Sequence, residues 1–374
     1  MSQRITPIYQ AAPVVPPFSV PTLLRPVGLM RVSDPAAQAT DLWPLAGGWI
    51  GFSQLDVVMR LEGGLSVWRT TPKDLLEAAA DKAAAESWLE RLSAPRGDFA
   101  NLAMDRPHLM GVVNATPDSF SDGGRHLAAS DAISAGRQLA DDGARILDIG
   151  GESTRPGAEP VASNEEKRRI LPVIEQLVSE GHIVSADTRH TDVMAAALDA
   201  GVHIINDVGG FADEGAPALM GRAHAANPDK AFAITMHMQG APQTMQANPS
   251  YDFAPLDIYD WLAERVTTLE AAGLPRTHIA IDPGFGFGKT VQDNIDLIAW
   301  ASLFHGLGVP VLYGVSRKST IAKVMQSETG IAPEADDRLA GSLSLGLRVI
   351  DQGIQMLRIH DIPETRQALT LFNR

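Results

Sequence analysis

From residue 108 to residue 361 the chain repeats one unit eight times: a short apolar run rich in β-formers, then a longer polar stretch. The runs are HLMGVVN (108–114), RILDIGG (145–151), HIVSADT (182–188), HIINDVG (203–209), AFAITMHM (231–238), HIAIDPG (278–284), VPVLYGVS (309–316) and QMLRIHD (355–361). Helical periodicity fills the intervals, as at 130–143, 163–180, 254–273 and 335–352. Strands joined by helical crossovers must run parallel, and apolar runs without strict alternation fit strands covered on both faces. Eight such units in the 270 residues from 105 to 374 fit a closed (β/α)8 TIM barrel better than an open doubly wound sheet. The expected fold is therefore α/β, a TIM barrel at 105–374 with an N-terminal accessory α/β extension at 1–104.

The extension carries no motif with evident chemistry. Eight prolines within residues 1–44 predict an extended arm rather than a packed element. Residues 47–70 read as short strands with glycine turns, and 73–93 as one helix with Thr71 as N-cap, Pro72 in the first turn and Asp74 behind it. Pro7, Pro13, Pro16 and Pro17 interrupt the N-terminus, which makes a poor signal-peptide core. No stretch approaches the ~20 apolar residues that a membrane crossing needs, so a soluble cytoplasmic protein is expected.

Composition narrows the chemistry. The chain has no cysteine, which excludes disulfides, cysteine-ligated metals and a thiol nucleophile. Its net charge is −14, and it lacks the global basic excess of nucleic-acid binders. Residues 1–100 hold 9 basic and 10 acidic groups, leaving 22 against 35 on the barrel portion, so the acidity belongs to the barrel itself. An anionic substrate must be held there by a local cluster.

Nearly every strand ends in a polar residue: Asn114, Asp148, Asp187, Asn206, His237, Asp282, Ser316, and Arg358 with His360. Strand C-termini of a TIM barrel converge on one mouth, where its active sites lie. The loop NATPDSFSDGG (114–124) is long and polar, suited to closing over a ligand, and Asn114 offers an oxygen for Mg²⁺ beside phosphate. In GGESTRPGA (150–158) Arg155 suits bidentate phosphate recognition. The segment DPGFGFGKT (282–290) is no Walker loop, because Pro283 stands where a glycine is required, and it lacks the dinucleotide glycine spacing. Its glycines would instead let Phe285 and Phe287 project toward a flat aromatic ligand while Asp282 accepts from a ring amine. In GVSRKST (314–320) Ser316 is expected to cap the next helix, with Arg317 and Lys318 supplying charge for an anion. Asp187, Asn206 and Asp282 would face one another in the mouth and recognise a nitrogen-rich heterocycle through its donors.

MGVVNATPDSFSDGG, DIGGESTRPGA, SADT, INDV, MHMQGAPQTMQ, DPGFGFGKT, GVSRKS and RIHD, in this order and spacing, closely resemble the dihydropteroate synthases of folate biosynthesis. The likeness runs from about 108 to 361 and says nothing about the first hundred residues. It implies condensation of 6-hydroxymethyl-7,8-dihydropterin diphosphate with 4-aminobenzoate, aided by Mg²⁺, in a homodimer. Carried over, Asp187, Asn206, Asp282 and Lys318 would hold the pterin edge, with Met236 packing near it and Arg358 stacking on its face. Asn114 would ligate Mg²⁺, and Arg155, Arg358 and His360 would bind diphosphate. Phe120, Thr154, Pro156, Phe287 and Ser316 would form the aminobenzoate pocket, which sulfonamides occupy in that family, and Asp122 would order the closed state. The rival on the same barrel is a pterin-dependent methyltransferase, which has no use for two diphosphate-closing loops. A variant synthase of another pterin pathway and a non-catalytic pterin-binding protein are further alternatives.

Overall fold

A computed structural model describes residues 5–10, 22–34, 36–37, 41–62, 64–115, 125–152 and 160–372. The chain opens with a five-stranded sheet of β1 (Pro7–Tyr9), β2 (Thr22–Arg31), β3 (Trp43–Pro44), β4 (Ile50–Leu61) and β5 (Gly64–Thr70), in the order β1-β5-β4-β2 with β3 also paired to β4. The expected arm is therefore partly wrong: Thr22–Arg31 is a ten-residue strand, antiparallel to β4. Pro26 is tolerated because β2 lies at the sheet edge, where a missing N–H breaks no inner ladder. The single expected helix is two, α1 (Pro72–Ala78) and α2 (Lys82–Ser93). Thr71 caps the first as foreseen, its Oγ1 accepting from the Asp74 N–H at 3.1 Å, but Asp81 starts the second by accepting from Ala84 at 3.0 Å.

Eight parallel strands follow: β6 (His108–Asn114), β7 (Ile146–Gly150), β8 (Val184–Asp187), β9 (Ile204–Asp207), β10 (Phe232–Met236), β11 (Ile279–Asp282), β12 (Leu312–Tyr313) and β13 (Met356–Ile359). Their hydrogen-bonded order runs from β11 back through β6 to β13 and β12. A parallel bridge between Ile281 and Val311 joins β11 to the approach of β12, which closes the barrel. Outside lie α3 (Arg125–Asp142), α4 (Ser163–Ser179), α5 (Thr191–Asp199), α6 (Ala216–Ala226), α7 (Ala254–Ala271), α8 (Val291–Ala299), α9 (Ser319–Thr329), α10 (Leu339–Ile350) and α11 (Ile362–Phe372).

The connection from the first sheet plugs one end of this barrel. Phe99, Ala100, Leu102 and Met104 pack against Met110, Ile146, Ile204, Phe232 and Met356, which sit at or near the strand N-termini, and Phe99 meets Phe232 edge-on at 5.1 Å. With that end filled by apolar side chains, the polar groups gather at the other. The sheet itself is bound to the barrel's outer surface: Arg25 donates to the Ala299 carbonyl at 2.9 Å and lies 4.4 Å from the Trp300 ring, and Ser302 donates to the Pro26 carbonyl at 2.8 Å.

Candidate active site

Alternate residues of each barrel strand face the axis. On β6, Met110 belongs to the floor while Val112 and Asn114 line a cavity at the mouth; on β13, Met356 is in the floor while Arg358 and His360 line the cavity. The cavity is about 470 Å³ and is also lined by Asp187, Phe287, Ser316 and Lys318. Five strands or their C-terminal extensions thus deliver Asn114, Asp187, Phe287, Ser316, Lys318, Arg358 and His360 to one space, while Asn206, Asp282 and Met236 are not among its lining residues.

Its centre is an ion cage of Arg358, Asp148 and Asp187. Arg358 donates through Nε to Asp148 Oδ2 and through Nη2 to Asp187 Oδ2, both at 2.6 Å. Burial opposes the guanidinium charge, but Asp148 and Asp187 outweigh it and hold Arg358 well above its ordinary range. Burial pushes the Asp187 carboxyl upward, and the Arg358 charge pulls against it. Asp148 was among the strand-end polar residues but outside the expected binding set. The missing signal was parity: Asp148 lies two residues before Gly150, on the same strand face, and Gly150 lines the cavity.

Acceptors surround the cage. Asn206 donates its Nδ2 to Asp148 Oδ2 at 3.2 Å, which fixes the amide orientation and leaves the carboxamide oxygen as an acceptor. Asp282 Oδ1 accepts from the Gly284 N–H at 2.7 Å, so its other oxygen is available. Burial pushes the Asp282 carboxyl up to about 6 against the opposing Gly284 N–H and Lys318 charge. Burial, reinforced by Arg358, pulls Lys318 down to about 8, and its Nζ lies 4.0 Å from the centre of the Phe287 ring. Phe287 packs in one apolar group with Met236, Met245 and Val208.

Ser316 and His360 form the other flank. Ser316 Oγ accepts from the His360 backbone N–H at 3.3 Å and lies 2.9 Å from His360 Nδ1. In the tautomer whose Nδ1 accepts from the serine hydroxyl, Nε2 carries the proton and can donate to an anion. Burial, with the Arg358 and Arg317 charges, pushes the imidazole down to about 4, so it is neutral in this role.

Three expectations require correction. Ser316 does not cap α9: Lys318 occupies the N-cap without a side-chain cap bond, and the Ser316 hydroxyl is engaged by His360. Arg317 is not a free phosphate ligand, because its guanidinium pairs with Asp361 and, at 2.5 Å, with Asp336. It adopts a left-handed φ of 58°, held by the Ser342 hydroxyl on its N–H and Arg338 on its carbonyl. Phe285 is 1% exposed in the barrel core, so of the two phenylalanines only Phe287 reaches the cavity. Phe120, Asp122, Thr154, Arg155 and Pro156 lie outside the described residues.

A barrel mouth that offers carboxylate and carboxamide acceptors on one side and a neutral donor histidine with cations on the other defines an enzyme for an anionic, donor-edged heterocycle. The family described as "Pterin binding enzyme" matches residues 110–360. The dihydropteroate synthase of Escherichia coli strain K12 is 38% identical over 270 residues, 72% of this chain and 92% of the relative. That of Neisseria meningitidis serogroup B is 43% identical over 276 residues, covering 72% and 93%. Among solved structures, Xanthomonas albilineans dihydropteroate synthase with 4-aminobenzoic acid aligns with a TM-score of 0.67 at 42% identity, covering 75% of this chain and 97% of the other. The same enzyme with 7,8-dihydropteroate gives 0.64 at 40%, covering 75% and 98%. The chain belongs to this pterin-binding family and, within it, to the dihydropteroate synthases. It is accordingly a transferase of folate biosynthesis that joins 6-hydroxymethyl-7,8-dihydropterin diphosphate to 4-aminobenzoate.

The raised Asp282 sets opposite pH trends for the free and liganded protein. A carboxyl whose folded pKa exceeds its ordinary 3.8 contributes stability that is present below that value and lost as pH rises through about 6. A substrate that donates to the carboxylate needs the ionised form and binds best above about 6. Thermal melts are expected to show a larger rise in Tm with pterin diphosphate at pH 7.5 than at pH 5. Equal rises would remove Asp282 from recognition.

Proposed function

We propose that the pterin edge lies against Asp187, Asn206, Asp282 and Lys318, with its diphosphate toward His360, Arg358 and Arg155. The observation that carries this reading is the set of acceptor oxygens left over once the internal bonds of Asp187, Asn206 and Asp282 are satisfied. A dihydropterin presents N–H donors along one edge, and a buried acceptor left without a donor is costly. Met236 beside Phe287 supplies apolar packing, and Arg358, held between two carboxylates, presents a flat cation to the ring face.

The chemistry is positioning and charge. As the C–O bond breaks, its electron pair leaves on the diphosphate and positive charge develops on the pterin. The arylamine nitrogen then forms the new C–N bond and gives up one N–H proton, which leaves with the diphosphate or to solvent. Asp187 and Asp282 stabilise the developing cation, while His360 and Arg155 stabilise the departing anion. The arylamine is a sufficient nucleophile once held in line, so effective concentration supplies much of the rate. Phe287 and Ser316 are assigned to the aminobenzoate pocket with Phe120, Thr154 and Pro156, and Asp122 to ordering of the closed state.

The donor set at the rim fits Mg²⁺ brought in by the diphosphate. Mg²⁺ keeps several waters and takes one or two protein oxygens beside substrate phosphates. Asn114 lines the cavity with one such oxygen, and among the described residues no three His, Cys, Asp or Glu form a metal cage. When bound, the ion would neutralise charge on the leaving diphosphate.

The resemblance further implies a homodimer, which a solution mass of twice 39.9 kDa checks. Among the described residues no helix is long and apolar enough to cross a membrane. One solved relative, the Yersinia pestis enzyme, is in a sulfonamide drug complex, which supports a sulfonamide-sensitive arylamine pocket here. Inhibition kinetics test the assignment: a sulfonamide is expected to compete with 4-aminobenzoate and not with the pterin diphosphate. Inhibition indifferent to aminobenzoate concentration would place the arylamine elsewhere.

A further inference from the structure

Lys289 ends the glycine-rich segment after β11 and has no part in the chemistry above. It is 2% exposed, and among the described residues no carboxylate forms an ion pair with it. Burying an ammonium without a counter-ion is expensive unless every proton finds an acceptor. Here each does: Nζ lies 2.9 Å from the Phe287 carbonyl, 3.3 Å from the His237 carbonyl and 3.1 Å from His237 Nδ1. Three protons meet three acceptors from two different loops, so Lys289 ties the segment after β10 to the segment after β11.

The backbone between them leaves little slack. Gly284 and Gly288 have φ of 70° and 60°, and a Cβ on them would fall 1.9 Å from the His237 carbonyl oxygen and 2.5 Å from the Gln239 carbonyl oxygen. The two loops therefore touch backbone to backbone, which only glycine permits. Asn294 accepts from the Gly286 N–H at 2.7 Å, Gln246 donates to the Gly286 carbonyl at 2.8 Å, and the Tyr251 hydroxyl donates to the Gly288 carbonyl at 2.7 Å. Lys289 completes this set at Phe287, the residue whose ring forms the cavity wall and carries Lys318 at 4.0 Å.

We infer that Lys289 is a positioning residue for the arylamine site: by holding the Phe287 carbonyl and His237 together, it fixes the ring against which a flat arylamine stacks. This rests on Phe287 lining that pocket. Burial lowers Lys289 to about 7, with Asp282 and Asp293 opposing the shift and Lys318 adding to it, which is in keeping with a group placed for geometry at some electrostatic expense.

The test compares Lys289→Met and Lys289→Gln with Phe287→Ala by steady-state kinetics, calorimetry with pterin diphosphate, and thermal melting. A charge-assisted bond of the strength lost here corresponds to about a tenfold effect or more, so the expected result for Lys289→Met is a rise of about tenfold in KM for 4-aminobenzoate. The Kd for pterin diphosphate is expected within about twofold of the parent, and Lys289→Gln, which keeps one neutral donor, falls between. A lysine that only supports the fold would lower Tm and leave that KM unchanged in the folded fraction, which overturns the inference, as does failure of both lysine variants to fold. If Phe287→Ala itself leaves KM unchanged, the pocket assignment fails rather than the role of Lys289.

Discussion

Arg358→Met is expected to abolish turnover and lower stability together, because one side chain neutralises two buried carboxylates. Asp148 is fully buried, Asp187 is 9% exposed, and each accepts from Arg358 at 2.6 Å. Removing one partner from a buried ion set costs about 3–5 kcal/mol, mostly through the charges left unpaired, which is on the order of a thousandfold if it falls on substrate binding. Urea unfolding and product formation read the two effects separately. The double variant Arg358→Met/Asp148→Leu removes one stranded charge, so it is expected to recover part of the lost stability and none of the activity. Recovered activity would show that Arg358 serves the fold and not the pterin.

Asp282→Asn is expected to prevent binding of the pterin diphosphate while leaving the fold intact. The Gly284 N–H needs an acceptor, and the asparagine oxygen takes that place at the position where Asp282 Oδ1 stands, 2.7 Å away. The amide NH₂ then takes the place of the second carboxylate oxygen, where it opposes the ring N–H donor of the proposed pterin pose. Exchange of a charged acceptor for a donor is worth at least about 100-fold in affinity. Calorimetry at concentrations that saturate the parent should give no heat, and a Kd near the parent value would place the pterin edge elsewhere.

The barrel was legible because parallel strands buried on both faces leave continuous apolar runs, and all eight runs contain a strand. VPVLYGVS keeps only a two-residue strand, Leu312–Tyr313, since Gly314–Lys318 turns away to present Ser316 and Lys318 and to send Arg317 toward Asp361. Pro26 concealed β2 because a proline in sequence reads against a strand, and only the sheet order shows that its strand is an edge. The acceptors Asp187, Asn206 and Asp282 announced themselves by their place at strand ends. Asp148 stands among the same strand-end residues but its pairing does not show there, and Lys289 gives no such sign, because their importance lies in bonds to residues 210 and 52 positions away, Arg358 and His237. Such partners become visible only when the barrel closes.

The most direct measurement is product formation. Purified protein, Mg²⁺, 6-hydroxymethyl-7,8-dihydropterin diphosphate and labelled 4-aminobenzoate are expected to give labelled 7,8-dihydropteroate and diphosphate in equal amounts, with no product from Asp282→Asn. Tight binding of the pterin diphosphate without dihydropteroate, or full activity in Asp282→Asn, would contradict the account.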